Sequence, residues 1–289
     1  MAMLWIAVTA VLAGCGGGGD GSSATAASSS STVSATPTTA ATATTSAAQW
    51  VPAASDTWQW QLSGTIDTSY HVQVYDIDLF DAPQATIDSL KAQGRKVVCY
   101  FSAGSAENWR PDYAGFQAAD LGNDLDGWAG ERWVDTRSTN VRNIMLARLD
   151  LALSKGCNGV EPDNVDGYTN NPGFPLTSAT QADYNLFLAN AAHMRGLAVA
   201  LKNDTDQIGT LGASFDFAIN EQCHQYDECS DYTAFQATGK AVFNAEYATQ
   251  YVQNTNGARD ALCQSARAAN LRTLILPVAL DDSFRYSCD

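Results

Sequence analysis

The chain has 289 residues, 45% of them hydrophobic and 10% aromatic, enough apolar material to bury a full core. Asp and Glu number 31 against 16 Lys plus Arg, a formal net charge of −15. That balance repels phosphate backbones and anionic lipid, which excludes a nucleic-acid partner; it attracts cationic polymers, although acidity also serves plain solubility.

Met1 to Ala13 form an apolar stretch too short to span a bilayer and suited to the h-region of an export signal. It runs into Leu12-Ala13-Gly14-Cys15, which resembles a bacterial lipobox. Residues 1–14 therefore read as a lipoprotein-type signal peptide and Cys15 as the lipidation site. Gly16 brings no inner-membrane retention charge, so an outer-membrane lipoprotein or a secreted protein is expected, touching membrane only through that anchor. One departure is that no Lys or Arg precedes the apolar stretch. Residues 15–48 are almost wholly Gly, Ser, Thr and Ala and read as a disordered tether. Residues 49–289 read as one globular unit, of a length that suits a single α/β barrel, and a monomer is expected.

Within that unit short apolar runs alternate with amphipathic stretches, the pattern of βα units around a parallel sheet. The strands expected are His71–Ile77, Lys96–Phe101, Arg132–Asp135, Gly159–Glu161, Leu197–Leu201, Phe215–Asn220, Ala241–Ala245 and Arg272–Pro277. Helices are expected over Pro83–Gln93, Thr139–Lys155, Ser178–Arg195 and Gly257–Asn270, where apolar residues recur at spacings of three and four. Eight alternating strands imply a (β/α)8 barrel. A doubly wound open sheet is the main competitor, but no Gly-rich phosphate loop follows the first strand.

With Cys15 set aside, six cysteines remain, and an even number in an exported chain reads as disulfides before metal. Cys223 and Cys229 are close enough to clamp one loop; Cys263 and Cys288 suit a tie between the last helix and the C-terminal tail. Cys99 and Cys157 either pair with each other or stay as buried thiols. No Cys-x-x-Cys pair or His cluster supports a metal, and no cofactor is implied.

In a parallel barrel the C-terminal strand ends share one mouth, where residues are functional more often than elsewhere. Acidic residues gather there: Asp76 and Asp78, Asp135, then Glu161, Asp163 and Asp166, then Asp204, Glu221 and Glu246, with Asp281 and Asp282 after the last strand. The EF-hand spacing and the Gly-x-Ser-x-Gly elbow are both absent. What remains is acid/base chemistry by paired carboxylates, the usual way of cutting a glycosidic bond. Tyr75, Tyr100, Trp109, Trp128, Trp133, Tyr168, Tyr226 and Tyr247 fall near strand ends; any one of them alone reads as core before it reads as platform, and a subset lining a cleft for sugar stacking is expected.

The segments Trp58-Gln59-Trp60-Gln61-Leu62-Ser63-Gly64, Val74-Tyr75-Asp76-Ile77-Asp78, Cys99-Tyr100-Phe101-Ser102-Ala103-Gly104 and Gly159-Val160-Glu161-Pro162-Asp163-Asn164-Val165-Asp166 resemble glycoside hydrolase family 114. Leu201-Lys202-Asn203-Asp204, Asn220-Glu221-Gln222-Cys223 and Ala245-Glu246-Tyr247 are similar to it in the same order. The resemblance implies a (β/α)8-barrel endo-α-1,4-polygalactosaminidase acting on a cationic polysaccharide, with Asp163 and Glu221 matching the family's catalytic carboxylates. Glu221 is then expected as general acid/base and Asp163 as nucleophile or water-activating partner. Asp76, Asp78, Tyr100, Glu161, Asp166, Tyr168, Asn203, Tyr226, Glu246 and Tyr247 are expected to hold substrate or tune the acid, and Lys202 to orient a carboxylate or form a plain ion pair. The rivals are a non-catalytic carbohydrate-binding barrel and a hydrolase for another extracellular glycan.

Overall fold

The computed structural model describes residues 49–289; the expected signal peptide, lipidation site Cys15 and tether lie outside the described residues. Eight parallel strands follow one another in the order of the chain: β1 (Trp58–Gln61), β2 (Val74–Asp78), β3 (Lys96–Ser102), β7 (Gly159–Asp163), β8 (Ala198–Lys202), β9 (Phe217–Glu221), β10 (Val242–Glu246) and β11 (Arg272–Ile275). A short β12 (Tyr286–Ser287) adds antiparallel to β11 and completes a curled nine-stranded sheet. Between β3 and β7 the chain builds a separate antiparallel sheet from β4 (Ser105–Glu107), β5 (Leu121–Asp124) and β6 (Glu131–Val134), in the order β4-β6-β5.

This corrects the expected strand list in two places. Arg132–Asp135 is not a parallel strand; it is β6 of the small sheet, so Asp135 is paired with Arg137 at 2.8 Å and does not join the cleft. The missing parallel strand is β1, whose alternate residues Gln59 and Gln61 are as buried as its tryptophans.

The long helices form where local signals agree. Before α1 (Gln84–Ala92) stands Pro83, whose fixed φ suits a helix start, and Gly94 at φ +81° ends that turn. Ser138 caps α2 (Thr139–Lys155), its hydroxyl accepting from Asn140 N at 3.2 Å, and Gly156 in the left-handed region stops it. A reciprocal Thr177–Thr180 capping box starts α3 (Ser178–His193). Four short helices follow, α4 (Ile208–Leu211), α5 (Cys223–Tyr226), α6 (Thr233–Ala237) and α7 (Thr249–Val252), before α8 (Ala258–Ala268).

Because side chains alternate along a strand, the sheet has two buried faces. The outer face packs on the helices through residues such as Ile77, Val97, Val160 and Val199. The concave face gathers a second apolar cluster that includes Trp58, Trp60, Val74, Val98, Ala198, Phe217, Phe243 and Leu274. Here the ends of the sheet approach each other: Trp58 stacks on Phe243 at 4.9 Å and donates its indole N–H to the Arg272 carbonyl at 2.8 Å.

Three disulfides pin this frame. Cys99–Cys157 ties β3 to the chain just before β7, Cys223–Cys229 closes the loop containing α5, and Cys263–Cys288 ties α8 to the tail. They fit an oxidising compartment outside the cytoplasm. No helix among the described residues is long and apolar enough to cross a membrane. Closing a longer loop removes more entropy from the unfolded chain, so the bond of sequence separation 58 should stabilise more than that of separation 6. We expect Cys99→Ala/Cys157→Ala to lower the urea-unfolding free energy by about 2–5 kcal/mol. Cys223→Ala/Cys229→Ala should cost less; the reverse ranking would refute the loop-length account.

Candidate active site

Above the apolar cluster, the concave face changes character toward the C-terminal ends of the strands. The inward positions there are Tyr100 on β3, Glu161 and Asp163 on β7, Lys202 on β8, Glu221 on β9 and Tyr247 just past β10. Lys202, 2% exposed, sits at their centre. Its Nζ lies 2.9 Å from Glu161 Oε1, 3.1 Å from Asp163 Oδ1 and 3.2 Å from Glu221 Oε2. It also stands 4.7 Å from the Trp60 ring centroid. Burial alone would push this ammonium toward neutrality, but Asp163, Glu161 and Glu221 together hold its pKa well above the ordinary lysine value.

Each of the two outer carboxylates has a tyrosine on its other oxygen. Tyr100 donates to Asp163 Oδ2 at 2.9 Å, and the Tyr247 hydroxyl donates to Glu221 Oε1. Burial first, and then the neighbouring carboxylate, raises both phenols well above their usual range, so they stay protonated donors. Asn164 N caps Asp163 Oδ1 at 2.7 Å, while Asn203 Oδ1 accepts from Glu221 N at 2.9 Å.

The backbone that aims these groups is held in sparsely populated conformations. Asn164, Asn203 and Gln222 all have positive φ and follow directly on the strand ends that carry Asp163, Lys202 and Glu221, and Asp204 continues the turn after Asn203. Gly104 presses on this turn: a Cβ there would lie 1.7 Å from the Asn164 carbonyl oxygen, and its N–H donates to the Asp163 carbonyl at 3.0 Å.

Asp76 and Glu161 are fully buried beneath the cleft and not in its wall. Neither Asp76 oxygen has a donor among the described residues, nor has Glu161 Oε2. Burial and the facing Glu161 push Asp76 well above the carboxylate range, and burial pushes Glu161 up to about 7. Both shifts favour a proton held within this buried pair, while Glu161 Oε1 meets Lys202 Nζ at 2.9 Å.

The cleft has a volume of about 920 Å³. Acidic side chains crowd its lining, and the cations there are Arg110 and Lys202. Asp166, expected at the mouth, lines it, with burial and then Asp163 lifting its carboxyl to about 6. Asp204 rises to about 7 for the same first cause, with Asp166 next, and accepts from Tyr168 at 3.3 Å and Asn185 at 2.9 Å. Tyr226 stands 58% exposed on the Cys223–Cys229 loop and also faces the cleft.

Two expected substrate ligands are committed elsewhere. Asp78 lines the cleft but is gripped by Arg110, whose Nη2 lies 2.5 Å from Oδ2 and whose other side holds Glu107 at 2.7 Å. Glu246 lies on the opposite face of β10 from Ala245 and Tyr247, accepting from His224 N at 2.8 Å; it braces the α5 loop from behind. Asp282 likewise serves structure, accepting from Gln59 Nε2 at 3.0 Å.

Sequence reasoning missed Arg110, Glu107 and Glu131, the last lying 2.7 Å from Ser105 Oγ and raised to about 7 by burial. All three belong to the inserted sheet or its connections, whose place over the mouth no local pattern announces. The donor atoms of Cys223, His224 and Cys229 lie within 4.8 Å of one another, but both sulfurs are spent in the disulfide. Other clusters of metal-ligand type are absent among the described residues.

The fold has counterparts. The crystal structure of Aspergillus fumigatus Ega3 in complex with galactosamine is 45% identical, covering 84% of this chain and 99% of that one, with a TM-score of 0.78. The glycoside hydrolase domain of PelA from Pseudomonas aeruginosa is similar in fold, with a TM-score of 0.62 at 15% identity over 78% of this chain and 96% of that one. An uncharacterized protein of Deinococcus radiodurans is 28% identical over 266 residues, 80% of this chain and 83% of that one. The model of glycoside-hydrolase family GH114 matches residues 39–289, so the chain belongs to that family and is a glycoside hydrolase.

Proposed function

We propose that this chain is an endo-acting hydrolase of α-1,4-linked, galactosamine-containing polysaccharide, and that Asp163 and Glu221 are its catalytic pair. The observation that carries this reading is the Lys202 bridge: one buried ammonium holds both carboxylates side by side at the floor of an acidic cleft. The similarity to a protein crystallised with galactosamine supports the sugar. An amine-bearing substrate also suits a cleft in which acidic groups outnumber cations.

Asp163 Oδ1 and Glu221 Oε2 can be no farther apart than the sum of their distances to Lys202 Nζ. Two carboxyls drawn to one cation stand close together, and we read the mechanism as retaining, with Asp163 as nucleophile. Glu221 protonates the leaving glycosidic oxygen while Asp163 attacks the anomeric carbon and forms a glycosyl ester. Water then adds to that carbon, giving its proton to Glu221 and releasing Asp163. Tyr100 and Tyr247 fix the orientation of the two carboxyls in both steps.

We read the curled sheet as a closed (β/α)8 barrel, supported by the contacts of Trp58 with Phe243 and the Arg272 carbonyl across its two ends. We read residues 1–14 as a lipoprotein signal peptide, 15–48 as an anchored tether and 49–289 as the catalytic unit, which works as a monomer.

Asp163→Asn and Glu221→Gln keep shape but remove ionisation, and each should lower kcat by about 10²–10⁴ with little change in Tm. Wild-type turnover in either variant would remove that residue from the pair. On a de-N-acetylated polymer, kcat/KM should fall as salt rises from roughly 10 to 500 mM, since the screening length contracts from about 30 Å to a few Å. N-acetylated chains, lacking the positive charge, should be cut more slowly and show little salt response; equal rates and equal salt response on the two polymers would refute charge recognition. In a bacterial host, metabolic palmitate labelling should mark the wild-type protein and vanish in Cys15→Ala, whereas persisting label would exclude lipidation at that cysteine.

A further inference from the structure

The inserted antiparallel sheet presents two tryptophans that the catalytic reading does not use. Trp109 and Trp128 are each 51% exposed, and they are the exposed tryptophans among the described residues. Both line the cleft that holds the Lys202 centre. Large apolar rings left in contact with water at a polar cleft are the exception in a soluble domain, and they mark ligand contact more often than scattered aliphatic exposure does.

Their closeness follows from register. Glu107 of β4 pairs with Glu131 of β6, so the segments leading to Trp109 and from Trp128 leave the same end of the small sheet. The turn carrying Trp128 is tightly specified: Leu125 N donates to the Glu131 carbonyl at 3.0 Å, and Trp128 N to the Leu125 carbonyl at 3.1 Å. Gly127 and Gly130 supply the positive φ values of +84° and +95° that this turn requires. It is locked to the neighbouring segment as well, because Asn108 N donates to the Gly130 carbonyl at 3.0 Å and a Cβ on Gly130 would lie 2.9 Å from Asn108 Oδ1. Two exposed rings are thus carried by adjoining backbone segments fixed to each other, and Asp126 of the same turn also lines the cleft.

We propose that Trp109 and Trp128 form an outer sugar-binding platform that takes a hexosamine unit of the substrate chain away from the cleaved bond. The rings accept the apolar face of the sugar, and a protonated amine on that face gains from the ring quadrupole and from Asp126. The platform makes the enzyme prefer long chains, because short oligosaccharides fill the catalytic floor without reaching it. This rests on the hydrolase reading above and adds a binding site to it.

The test compares Trp109→Ala, Trp128→Ala and the double variant in the full chain, on a long α-1,4-galactosamine polymer and on the shortest oligosaccharide of that sugar the wild type cleaves. The ratio of kcat/KM on polymer to that on oligosaccharide should fall roughly three- to tenfold for each ring removed, through KM more than kcat. Phe at either position should restore most of the ratio. If alanine disturbs the turn, Trp109→Gln and Trp128→Gln give the same reading while keeping bulk. An unchanged ratio, including an equal loss on both substrates, overturns the platform. If the wild-type chain cuts neither substrate, the hydrolase reading fails instead, and quenching of tryptophan fluorescence by the polymer still decides the platform. Quenching lost in the double variant supports it; unaltered affinity in that variant overturns it.

Discussion

The site depends on one buried ammonium. Lys202, 2% exposed, could not remain charged on the floor of the cleft without compensation, since desolvation alone favours its neutral form. Three carboxylates supply that compensation, and in doing so they are themselves brought within about 3 Å of one point. The arrangement is reciprocal. Lys202 draws Asp163 and Glu221 to one point, and they in turn hold it charged. Removing Lys202 itself would leave three crowded carboxylates without their cation, a loss of about 3–5 kcal/mol, whereas removing one carboxylate leaves the cation two partners. The geometry is therefore over-determined by electrostatics and not left to loop packing.

The layer beneath Lys202 completes this balance. Glu161 meets Lys202 through Oε1, and burial together with the facing Glu161 favours the neutral form of Asp76 behind it. Above, Tyr100 and Tyr247 take up the carboxylate oxygens that Lys202 does not reach. The floor thus grades from apolar rings through a neutral acid to paired charge, with solvent reaching only the outermost oxygens of Asp163 and Glu221, whose side chains are 16% and 29% exposed.

Much of this was legible in the sequence, and the errors have physical causes. Helices were readable because their caps are local: Ser138 and Gly156 bound α2, and Thr177 opens α3. The strand Trp58–Gln61 escaped because alternation of Trp with Gln suggests one wet face, whereas Gln59 and Gln61 are buried and satisfied by Asp282, Arg285 and nearby carbonyls. The segment Arg132–Asp135 has strand composition, but composition does not tell a parallel strand from an antiparallel insertion. Glu246 could have been placed by parity. Phe243, Ala245 and Tyr247 face inward, so a residue between them must face out. The polar residues with positive φ, Asn164, Asn203 and Gln222, each directly after a site residue, leave a fainter trace: Asn tolerates the left-handed conformation that turns a strand end toward the mouth.

The inserted sheet is where the repeating architecture is broken. The connection between β3 and β7 is the longest that follows a parallel strand, and it carries its own three strands to one side of the cleft. Arg110 fastens that insertion to the frame by binding Asp78 of β2 together with Glu107 of β4, and Arg148 of α2 reinforces it by holding Asp112 at 2.8 Å and the Ser102 carbonyl at 2.6 Å. These ties matter because a wall that moved by an ångström would lose its alignment with a floor fixed by Lys202. Fastened this way, the insertion forms one wall of the cleft whose floor holds Lys202, Asp163 and Glu221.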